Sequence, residues 1–580
     1  MKSRDRELGV DREITRRDFL DGASVAIGGA MLSSSAAHGA ASAEAQVTQD
    51  GIQTGVDTIS EEKQTAIDWI EDNEKMLSDF DKRIWRYAEP ALREYKSARA
   101  YVELLRSQGF NVEEGTGGMP TAFLATYGGG KPVLASFAEY DAVPGSNQAA
   151  VPYEKLRDER LHPYAPGHTD PHSALGVTAL AGVLGAKAAM EKHGLRGTIK
   201  FFGEPGEKIC VSKPYHAAKG YYDGIDASIL FHPRSVNRVL WETQWGSYWN
   251  VAFTFEADEP EKWFSPAGRV GGPSVPMWYR PNPGALDAVT MMYTMTKYTK
   301  EAIHPRTAGW TITEYISIGG QSTTAPPLIS EITYAFRSPT LEMQERTHEF
   351  LRRNAKAVAE ATGCRVTERI VTKTRVGLFN QTMAELVHRN LRLIGPAVYG
   401  DQAREFGRQI QRNLGLEPME DPFTDNCQKL MTLEEGEEMQ RRALPGWVEN
   451  YGSDDHVEYT WHAPSVRLEA AKAVLRPAEG FRYPRWARLA MTGEPSTIDP
   501  MILAGGKTMA TSFVELLSEP GLLKGAWEEF NDRTGGGIGG SKWVAPLLPP
   551  DLDPPIDMRW PEYIKTERGE EWWIPTPRKE

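Results

Sequence analysis

The sequence predicts an α/β protein in which a larger domain with a mixed, largely parallel sheet flanked by helices carries an inserted ferredoxin-like α+β domain. Two observations predict this class. Short apolar runs alternate with helical patterns between residues 132 and 231, as they do around parallel sheets. After residue 246 the order becomes strand, helix, strand, strand, helix, strand, which is the ferredoxin-like pattern.

Capping residues and apolar spacing predict each element of the larger domain. Ser60 followed by two glutamates is a helix start, and Gly109 is a helix stop. The predicted helices cover about residues 60–87, 97–108, 174–193, 383–394, 402–414 and 512–530. The predicted strands cover about residues 132–137, 198–202 and 227–231.

The inserted domain is predicted from four strands and two helices. Its strands are expected at about residues 248–255, 310–318, 329–336 and 365–373, and its helices start near 286 and 342. The predicted division of the chain is residues 1–43, a leader; 44–245, the first part of the larger domain; 246–375, the inserted domain; 376–545, the second part of the larger domain; and 546–580, an arm rich in proline and aromatic residues.

Length, charge and cysteine usage exclude several classes. A chain of 580 residues is too long for one compact core. Its net charge of −13 argues against nucleic acid as a partner, because phosphate binding needs clustered Lys and Arg. The three cysteines lie far apart without a CxxC pair, which argues against a disulfide framework or a cysteine zinc site.

The N-terminal residues contain a candidate targeting signal. Residues 15–20 read Thr-Arg-Arg-Asp-Phe-Leu, and small residues ending in Ala41-Ser42-Ala43 follow a short apolar stretch. This pattern is similar to a twin-arginine export signal and predicts a periplasmic or secreted protein. The alternative is a disordered tail with a chance Arg pair. The apolar stretch is shorter than the ~20 residues of a membrane span, and no later span is expected.

Polar residues follow the predicted strands where α/β sheets bind ligands, beyond the strands' carboxyl ends. Asp141, Glu207 and His232 stand at three such ends, and Asp170 and His172 enter the helix between the first two. Three of these five residues have a simpler explanation: Asp141 as a turn residue, His232 as a backbone-bonded histidine, and Asp170 as a helix cap. Their joint occurrence at one edge instead predicts a site for zinc, manganese or cobalt.

Several motifs in order resemble the metal-dependent amidohydrolase and metallocarboxypeptidase family that includes aminoacylases, auxin-conjugate hydrolases and carboxypeptidases. Within it they resemble most the aminobenzoyl-glutamate hydrolase branch. The matching segments are residues 139–145, 167–176, 203–208, 231–233, 284–289, 318–320 and 452–455. The resemblance implies a catalytic larger domain, an inserted lid or dimerisation domain, one or two divalent ions with zinc favoured, and a homodimer.

The resemblance assigns roles to four of these residues. In the family's Gly-Cys-Gly-His motif two residues bind metal, and Asp170 and His172 match them. The family's Pro-Ala-Glu-Glu motif supplies a general base and then a ligand, which match Glu207 and Lys208. A protonated lysine cannot bind a metal ion. The resemblance therefore implies either that Glu204 takes the ligand's place or that only one ion binds.

Two further family positions depart from the pattern. His232 matches a family ligand, but the family's late histidine ligand has no counterpart, and Asp499 is the expected substitute. The inserted domain also lacks the histidine with which relatives stabilise the oxyanion. Lys262, Arg269 or Lys208 is expected to serve instead. Trp263, in the same region, is expected either to cover an aromatic or acyl group of the substrate or to pack within the inserted domain.

The predicted activity is metal-dependent hydrolysis of a small-molecule amide. Glu207 is expected to accept the proton of the attacking water, and Asp141 to orient a ligand imidazole. His168 and Lys208 are expected to lie behind the ligands or against substrate. Two alternatives stay open: an exported binding protein that has lost catalysis, and a hydrolase shifted towards an ester, carbamate or lactam.

Overall fold

The computed structural model describes residues 59–259, 284–304, 309–319, 327–442, 444, 452–558, 563–566 and 569–572. The predicted export signal, Trp263, Lys262 and Arg269 lie outside the described residues.

The elements are numbered here in chain order. The helices are α1 Glu61–Asp72, α2 Glu74–Tyr87, α3 Tyr95–Ser107, α4 His172–His193, α5 Ser212–Ala218, α6 Ala285–Thr299, α7 Leu341–Thr362, α8 Gln381–Ile394, α9 Asp401–Asn413, α10 Leu433–Arg442, α11 Arg485–Met491, α12 Pro495–Ser518 and α13 Leu523–Thr534. The strands are β1 Asn111–Glu114, β2 Phe123–Gly129, β3 Val133–Ala138, β4 Gly197–Gly203, β5 Ala227–Arg234, β6 Arg238–Val239, β7 Ser247–Ala257, β8 Thr311–Ile318, β9 Ile329–Ser338, β10 Cys364–Lys373, β11 Ser465–Ala471, β12 Tyr563–Thr566 and β13 Gly569–Trp572.

The first sheet has seven strands in the order β1-β2-β4-β3-β5-β11-β6. The four strands β4, β3, β5 and β11 pair in parallel, and the outer pairings are antiparallel. This confirms the predicted mixed sheet with a parallel centre. Parallel strands place their carboxyl ends at one edge, which is where the candidate residues of β3, β4 and β5 meet.

Helix α4 lies at the centre of the larger core, against β3 on one side and α1 and α12 on the other. Small residues allow this close approach: a Cβ on Gly182 would lie 2.7 Å from the Cβ of Met509, and one on Gly506 would lie 2.8 Å from that of Ala181. The helix is long and apolar enough to cross a membrane, contrary to expectation, but 94% of its apolar window is buried inside the protein. It is a core helix.

The second sheet has four antiparallel strands in the order β10-β7-β9-β8. Helices α6 and α7 pack on it and share a separate apolar core with residues such as Phe253, Tyr334 and Leu351. The order of strands and helices confirms the predicted ferredoxin-like α+β unit.

Two predicted helices are divided in the structure. The segment 60–87 forms α1 and α2, because Asn73 ends α1 and bonds to the Trp69 carbonyl through its backbone and side-chain nitrogens. The segment 512–530 is interrupted at Pro520, so α12 ends at Ser518 and α13 starts at Leu523. Apolar spacing continues through both breaks and therefore did not reveal them.

Candidate active site

Four chain segments converge at the carboxyl edge of the parallel strands. Asp141 follows β3, and Glu207 stands on a 3-10 helix just after β4. His232 lies near the end of β5, and His172 is the first residue of α4. The structure thus brings together residues that are up to 91 positions apart in sequence, counted from Asp141 to His232 (232 − 141).

His172 is held in a single orientation by Asp141. Its Nδ1 lies 2.6 Å from Asp141 Oδ1, and both side chains are completely buried. The Asp141 carboxylate also accepts the backbone N–H of Lys208 at 2.8 Å. Although burial opposes it, the contact with His172 lowers the pKa of Asp141. An ionised Asp141 accepts the Nδ1 proton, which leaves Nε2 of His172 as the acceptor atom of the ring. In this structure Nε2 lies 2.6 Å from Lys208 Nζ.

His232 is held in the same tautomer, with its proton on Nδ1. Its Nδ1 lies 2.8 Å from the Pro233 carbonyl, so Nδ1–H donates there and Nε2 keeps its lone pair. Burial lowers the pKa of His232 to about 4, and Asp170, 3.4 Å from Nε2, only partly opposes this. The ring is therefore neutral near pH 7, as a metal ligand must be.

Asp170 does not cap the helix that follows it. Pro171 is the N-cap residue of α4 and provides no side-chain hydrogen bond. The Asp170 carboxylate instead lies between two site residues, 3.4 Å from His232 Nε2 and 3.5 Å from Lys208 Nζ. Burial would raise the pKa of this carboxyl, but His232 and Lys208 hold it well below its usual range.

Lys208 places an ammonium group inside the cluster. Its Nζ lies 2.6 Å from His172 Nε2, 3.3 Å from Glu207 Oε2 and 3.5 Å from Asp170 Oδ2. Burial opposes charging, yet Glu207 and Asp170 raise the pKa of Lys208, so the ammonium persists. A positive charge thus lies directly at the ring nitrogen that a metal ion would use.

The described residues contain three groups whose ligand atoms all lie within 4.8 Å of one another. They are Glu139 with His172 and His232; Asp141 with His172 and Glu207; and Glu139 with Glu207 and Asp455. The first group has two imidazoles and a carboxylate, which suits zinc. In it, Glu139 Oε2 is buried without a hydrogen-bond partner among the described residues and lies 3.2 Å from His172 Nε2. Glu139 Oε2 and His172 Nε2 are two acceptor atoms that a single cation can bridge once the Lys208 ammonium has moved off Nε2.

Asp454 and Asp455, in one of the segments that resemble the family, are buried parts of the site. Asp455 is completely buried. Lys213 Nζ donates one hydrogen bond to Asp455 at 2.7 Å and another to Glu139 at 2.7 Å. Burial, opposed by Lys213, raises the pKa of Asp455 well above its usual range and that of Glu139 to about 7. Asp454 accepts from Arg467 at 2.6 Å.

Sequence reasoning missed Lys213 and gave Glu139 no role. Lys213 stands in the short helix α5, where its neighbours show no pattern that marks a buried charge. Glu139 could have been found, because it belongs to the same segment after β3 as Asp141.

Two expected ligands are not brought to the cluster. Glu204 is buried with its carboxylate bonded to Tyr222 at 2.7 Å, Tyr459 at 2.9 Å and His216 at 2.9 Å. These bonds occupy both oxygens, so Glu204 is a structural hub and not a replacement ligand. Asp499 stands on α12, where its carboxylate accepts the Ser78 hydroxyl of α2 at 2.6 Å. Neither residue belongs to any of the three candidate metal groups of the described residues.

His168 is buried beside the cluster. Burial first, and then the neighbouring His172, lowers the pKa of His168 to about 3, so the ring is neutral near pH 7. Its backbone carbonyl accepts the Thr492 hydroxyl at 3.0 Å, which ties the segment before α4 to the segment after α11.

No family model matches the chain. It is 26% identical to one of the subunits of p-aminobenzoyl-glutamate hydrolase from Escherichia coli strain K12 over 484 residues, which cover 80% of this chain and 94% of that protein. It is 25% identical to Xaa-Arg dipeptidase of Mus musculus over 321 residues, which cover 52% of this chain and 64% of that protein. A solved structure, aminobenzoyl-glutamate utilization protein from Klebsiella pneumoniae, shares 12% identity over 77% of this chain and 98% of its own, with a TM-score of 0.49.

Proposed function

We propose that the chain is a metal-dependent amidohydrolase that hydrolyses an amide bond in a small molecule, of the N-acyl amino acid or aryl-amide type. Its similarity to a subunit of p-aminobenzoyl-glutamate hydrolase supports this proposal. One observation carries this proposal. Two imidazoles and several carboxylates converge at the carboxyl edge of the parallel strands. They belong to His172, His232, Glu139, Asp170 and Glu207.

The proposed cofactor is one divalent ion, with zinc as its identity, held by Glu139, His172 and His232. When bound there, such an ion supplies Lewis-acid polarisation of the scissile carbonyl. Asp141 fixes the tautomer of His172, and the Pro233 carbonyl does so for His232. His232 thus presents Nε2 to the cluster, and His172 would do so once the Lys208 ammonium has moved off its Nε2.

Glu207 is the proposed general base. Its Oε2 lies 3.2 Å from His172 Nε2, and its side chain is 12% exposed, so it belongs to the cluster and is accessible to solvent. It accepts a proton from the attacking water and returns it to the leaving amine. Lys208 Nζ lies 3.3 Å from the same oxygen. Once displaced from His172 Nε2 by the metal ion, this ammonium can stabilise the oxyanion that forms on the scissile carbonyl, the role that the resemblance assigns to a histidine.

The test is release of free amine from a panel of N-acyl amino acids and aryl amides. Glu207→Gln keeps the shape of the side chain but removes the base, and we expect it to lower the rate by about 100-fold or more. Glu345→Gln, at an exposed position of α7, is the matched control and should keep the wild-type rate. Failure of wild-type protein to cleave any amide, or full activity of Glu207→Gln, would refute the proposal. Acyl p-nitrophenyl esters in the same panel separate amide from ester chemistry.

The Lys208 ammonium beside His172 Nε2 favours a second candidate function, an exported binding protein without catalysis. The two functions differ in their dependence on metal and base. A binder holds its small molecule equally well after Glu207→Gln and after treatment with a chelator. An enzyme of the proposed kind loses turnover in both cases.

We also propose export to the periplasm or cell exterior through the twin-arginine pattern of residues 15–20, and assembly as a homodimer through the inserted unit. Several large apolar side chains of that unit are exposed, among them Tyr298, Tyr315 and Ile316, and β8 is a sheet edge. Replacing Arg16 and Arg17 by Lys should retain the protein in the cytoplasm. Ile316→Glu should convert a dimer to a monomer in light scattering; a wild-type monomer would refute the assembly.

A further inference from the structure

The inserted unit is joined to the larger domain by two chain crossings that lie side by side. The chain enters the unit at β7 and leaves it after β10. At this place Thr374 N–H donates to the Tyr248 carbonyl at 2.9 Å, and Gly377 N–H donates to the Trp245 carbonyl at 2.9 Å. Two adjacent connections form one hinge line, about which a unit can rotate unless contacts elsewhere prevent it.

A segment near the C-terminus supplies contacts to the larger domain. We call residues 543–558 the strap; they follow α13 and form no helix or strand. The Pro550 carbonyl accepts a hydrogen bond from Lys219 Nζ at 2.9 Å, and the Met558 carbonyl accepts one from Arg93 Nη2 at 2.8 Å. The strap is therefore attached to the larger domain at two separate places.

The strap also contacts the inserted unit. Arg375, just after β10, donates to the Val544 carbonyl at 2.8 Å, and Leu547 packs against the apolar core of the unit. Asp557 accepts from Arg369 of β10, with Oδ2 2.9 Å from Nη1. The two arginines are six residues apart (375 − 369), which is about 20 Å along an extended chain. The strap therefore contacts the unit both at the hinge line and far from it.

One apolar cluster joins the strap to both domains. Leu548 of the strap is 3% exposed and lies in this cluster, and Leu552 packs against it. The other buried members are Leu92, Met119, Ala122, Val211 and Tyr215 of the larger domain and Ala252 and Val371 of the inserted unit. Because burial of apolar surface is favourable, the shared cluster stabilises the three parts in one arrangement.

The same cluster lies behind the turn that carries Glu207 and Lys208. Ile209, the last residue of that 3-10 helix, packs against the cluster. The carbonyl of the next residue, Cys210, accepts the Thr372 hydroxyl of β10 at 2.6 Å. A rotation of the inserted unit would therefore pull directly on the turn.

We propose that the strap holds the inserted unit at one angle to the larger domain and thereby positions the turn that carries Glu207 and Lys208. Leu548, Asp557 and Arg369 are positioning residues, since they act through the turn. The catalytic meaning of the turn rests on the proposed function. In this arrangement the walls of the site are in place before a substrate arrives, and rotation of the inserted unit is not a step of turnover.

Distances between the two domains test the strap without turnover. Nitroxide labels on Glu103→Cys of α3 and Glu345→Cys of α7, both exposed positions, report this distance by pulsed electron resonance, and the three native cysteines are buried. We expect one narrow distance distribution. Leu548→Asp places a charge in the apolar cluster and should broaden the distribution. Ile556→Asp, the same kind of change at a strap position that is 44% exposed, is the matched control and should keep it narrow.

Hydrogen exchange separates positioning from a general loss of stability. Leu548→Asp should speed exchange about tenfold or more in residues 207–212 and 372–376 while β3 exchanges as slowly as in wild type. The double variant Arg369→Gln/Lys219→Gln removes two polar contacts of the strap and leaves the apolar cluster intact. It should cause the same changes at smaller size, and it tests the strap independently of the folding of Leu548→Asp.

A broad distance distribution in the labelled wild-type background, or a narrow one in both strap variants, would overturn the proposal. Faster exchange in β3 as well would also overturn it, because that result marks a merely structural role. Failure of this proposal and failure of the proposed function remain distinguishable. Strap-dependent distances in a protein that hydrolyses no amide would contradict only the enzyme, whereas amide hydrolysis with a freely rotating inserted unit would contradict only the strap.

Discussion

The ammonium nitrogen of Lys208 lies 2.6 Å from Nε2 of His172, the atom through which this histidine would bind a metal ion. A lysine and a divalent cation repel each other, and both need the same lone pair. Lys208 therefore sets how many ions the cluster holds and how tightly. In the family's motif this position is a carboxylate that binds metal. This chain therefore has a positive charge where the motif has a metal ligand.

Exchanging the charge of Lys208 should change metal stoichiometry. Lys208→Glu restores a carboxylate beside Glu207 and His172, and we expect bound zinc to rise from one to two equivalents per chain after equilibrium dialysis. Lys208→Met removes the charge without adding a ligand and should keep one equivalent with tighter binding. Unchanged stoichiometry in Lys208→Glu would show that Lys208 does not stand at a second cation position.

The orientation of His172 by Asp141 should matter for metal affinity. Asp141→Asn keeps the size of the side chain but weakens the hydrogen bond to Nδ1 and removes the charge that fixes the tautomer. Loss of such a partner behind a ligand costs about 10–100-fold in metal affinity. Competition with a fluorescent zinc chelator measures this change. Asp68→Asn, at an exposed position of α1, is the control and should leave affinity unchanged.

The sequence predicted the parts of the site that depend on local pattern. The apolar runs of β3, β4 and β5 end at polar residues, so Asp141, Glu207 and His232 could be placed at one sheet edge. Strand β11 was missed because Arg467 and Glu469 interrupt its apolar character, although both are buried. Their partners come from distant segments: Arg467 pairs with Asp454, and Glu469 with Arg238.

The choice between neighbouring carboxylates could not be read from the chain. Glu139 and Glu204 both follow a strand directly, yet Glu139 faces the cluster while Glu204 bonds to Tyr222 and Tyr459. Only the fold brings Tyr459, 255 residues later, to Glu204. Asp499 was assigned from its position along the chain, and helix α12 directs it to Ser78 instead.

The buried ion pairs of Lys213 should be important for stability. Lys213→Met leaves Glu139 and Asp455 buried without their cation, and loss of one partner of a buried pair costs about 3–5 kcal/mol. Lys131→Met breaks the pair with Asp226, where the lysine is 66% exposed, and should cost about 1 kcal/mol or less. Denaturant unfolding of both variants compares the two costs. Similar values would contradict the interpretation of Lys213 as a buried structural cation.

Glu94 should make stability depend on pH. Burial, and then Asp141, raise the pKa of Glu94 from 4.5 to about 8. The folded protein thus binds a proton that the unfolded chain releases between about pH 4.5 and 8, so this group's contribution to stability falls as pH rises through that window.

Glu94→Gln is neutral at every pH. The amide oxygen of the glutamine can accept from Gly206 N–H, and its amide nitrogen can donate to the Thr121 hydroxyl. The variant should match wild type in thermal unfolding at pH 5 and be more stable at pH 8.5. Glu103→Gln, at an exposed position of α3, should follow wild type at both pH values. A constant difference between Glu94→Gln and wild type across this range would show that Glu94 titrates normally.

Metal content per chain shows whether Glu139, His172 and His232 hold a divalent ion. Wild-type protein and His232→Ala, purified without chelators and reconstituted with zinc, are compared by elemental analysis after dialysis. We expect one equivalent of zinc in wild type and its loss in His232→Ala, because His232 supplies one of the three proposed ligands. A wild-type protein that holds no metal after reconstitution, or a His232→Ala variant that holds as much as wild type, would contradict it.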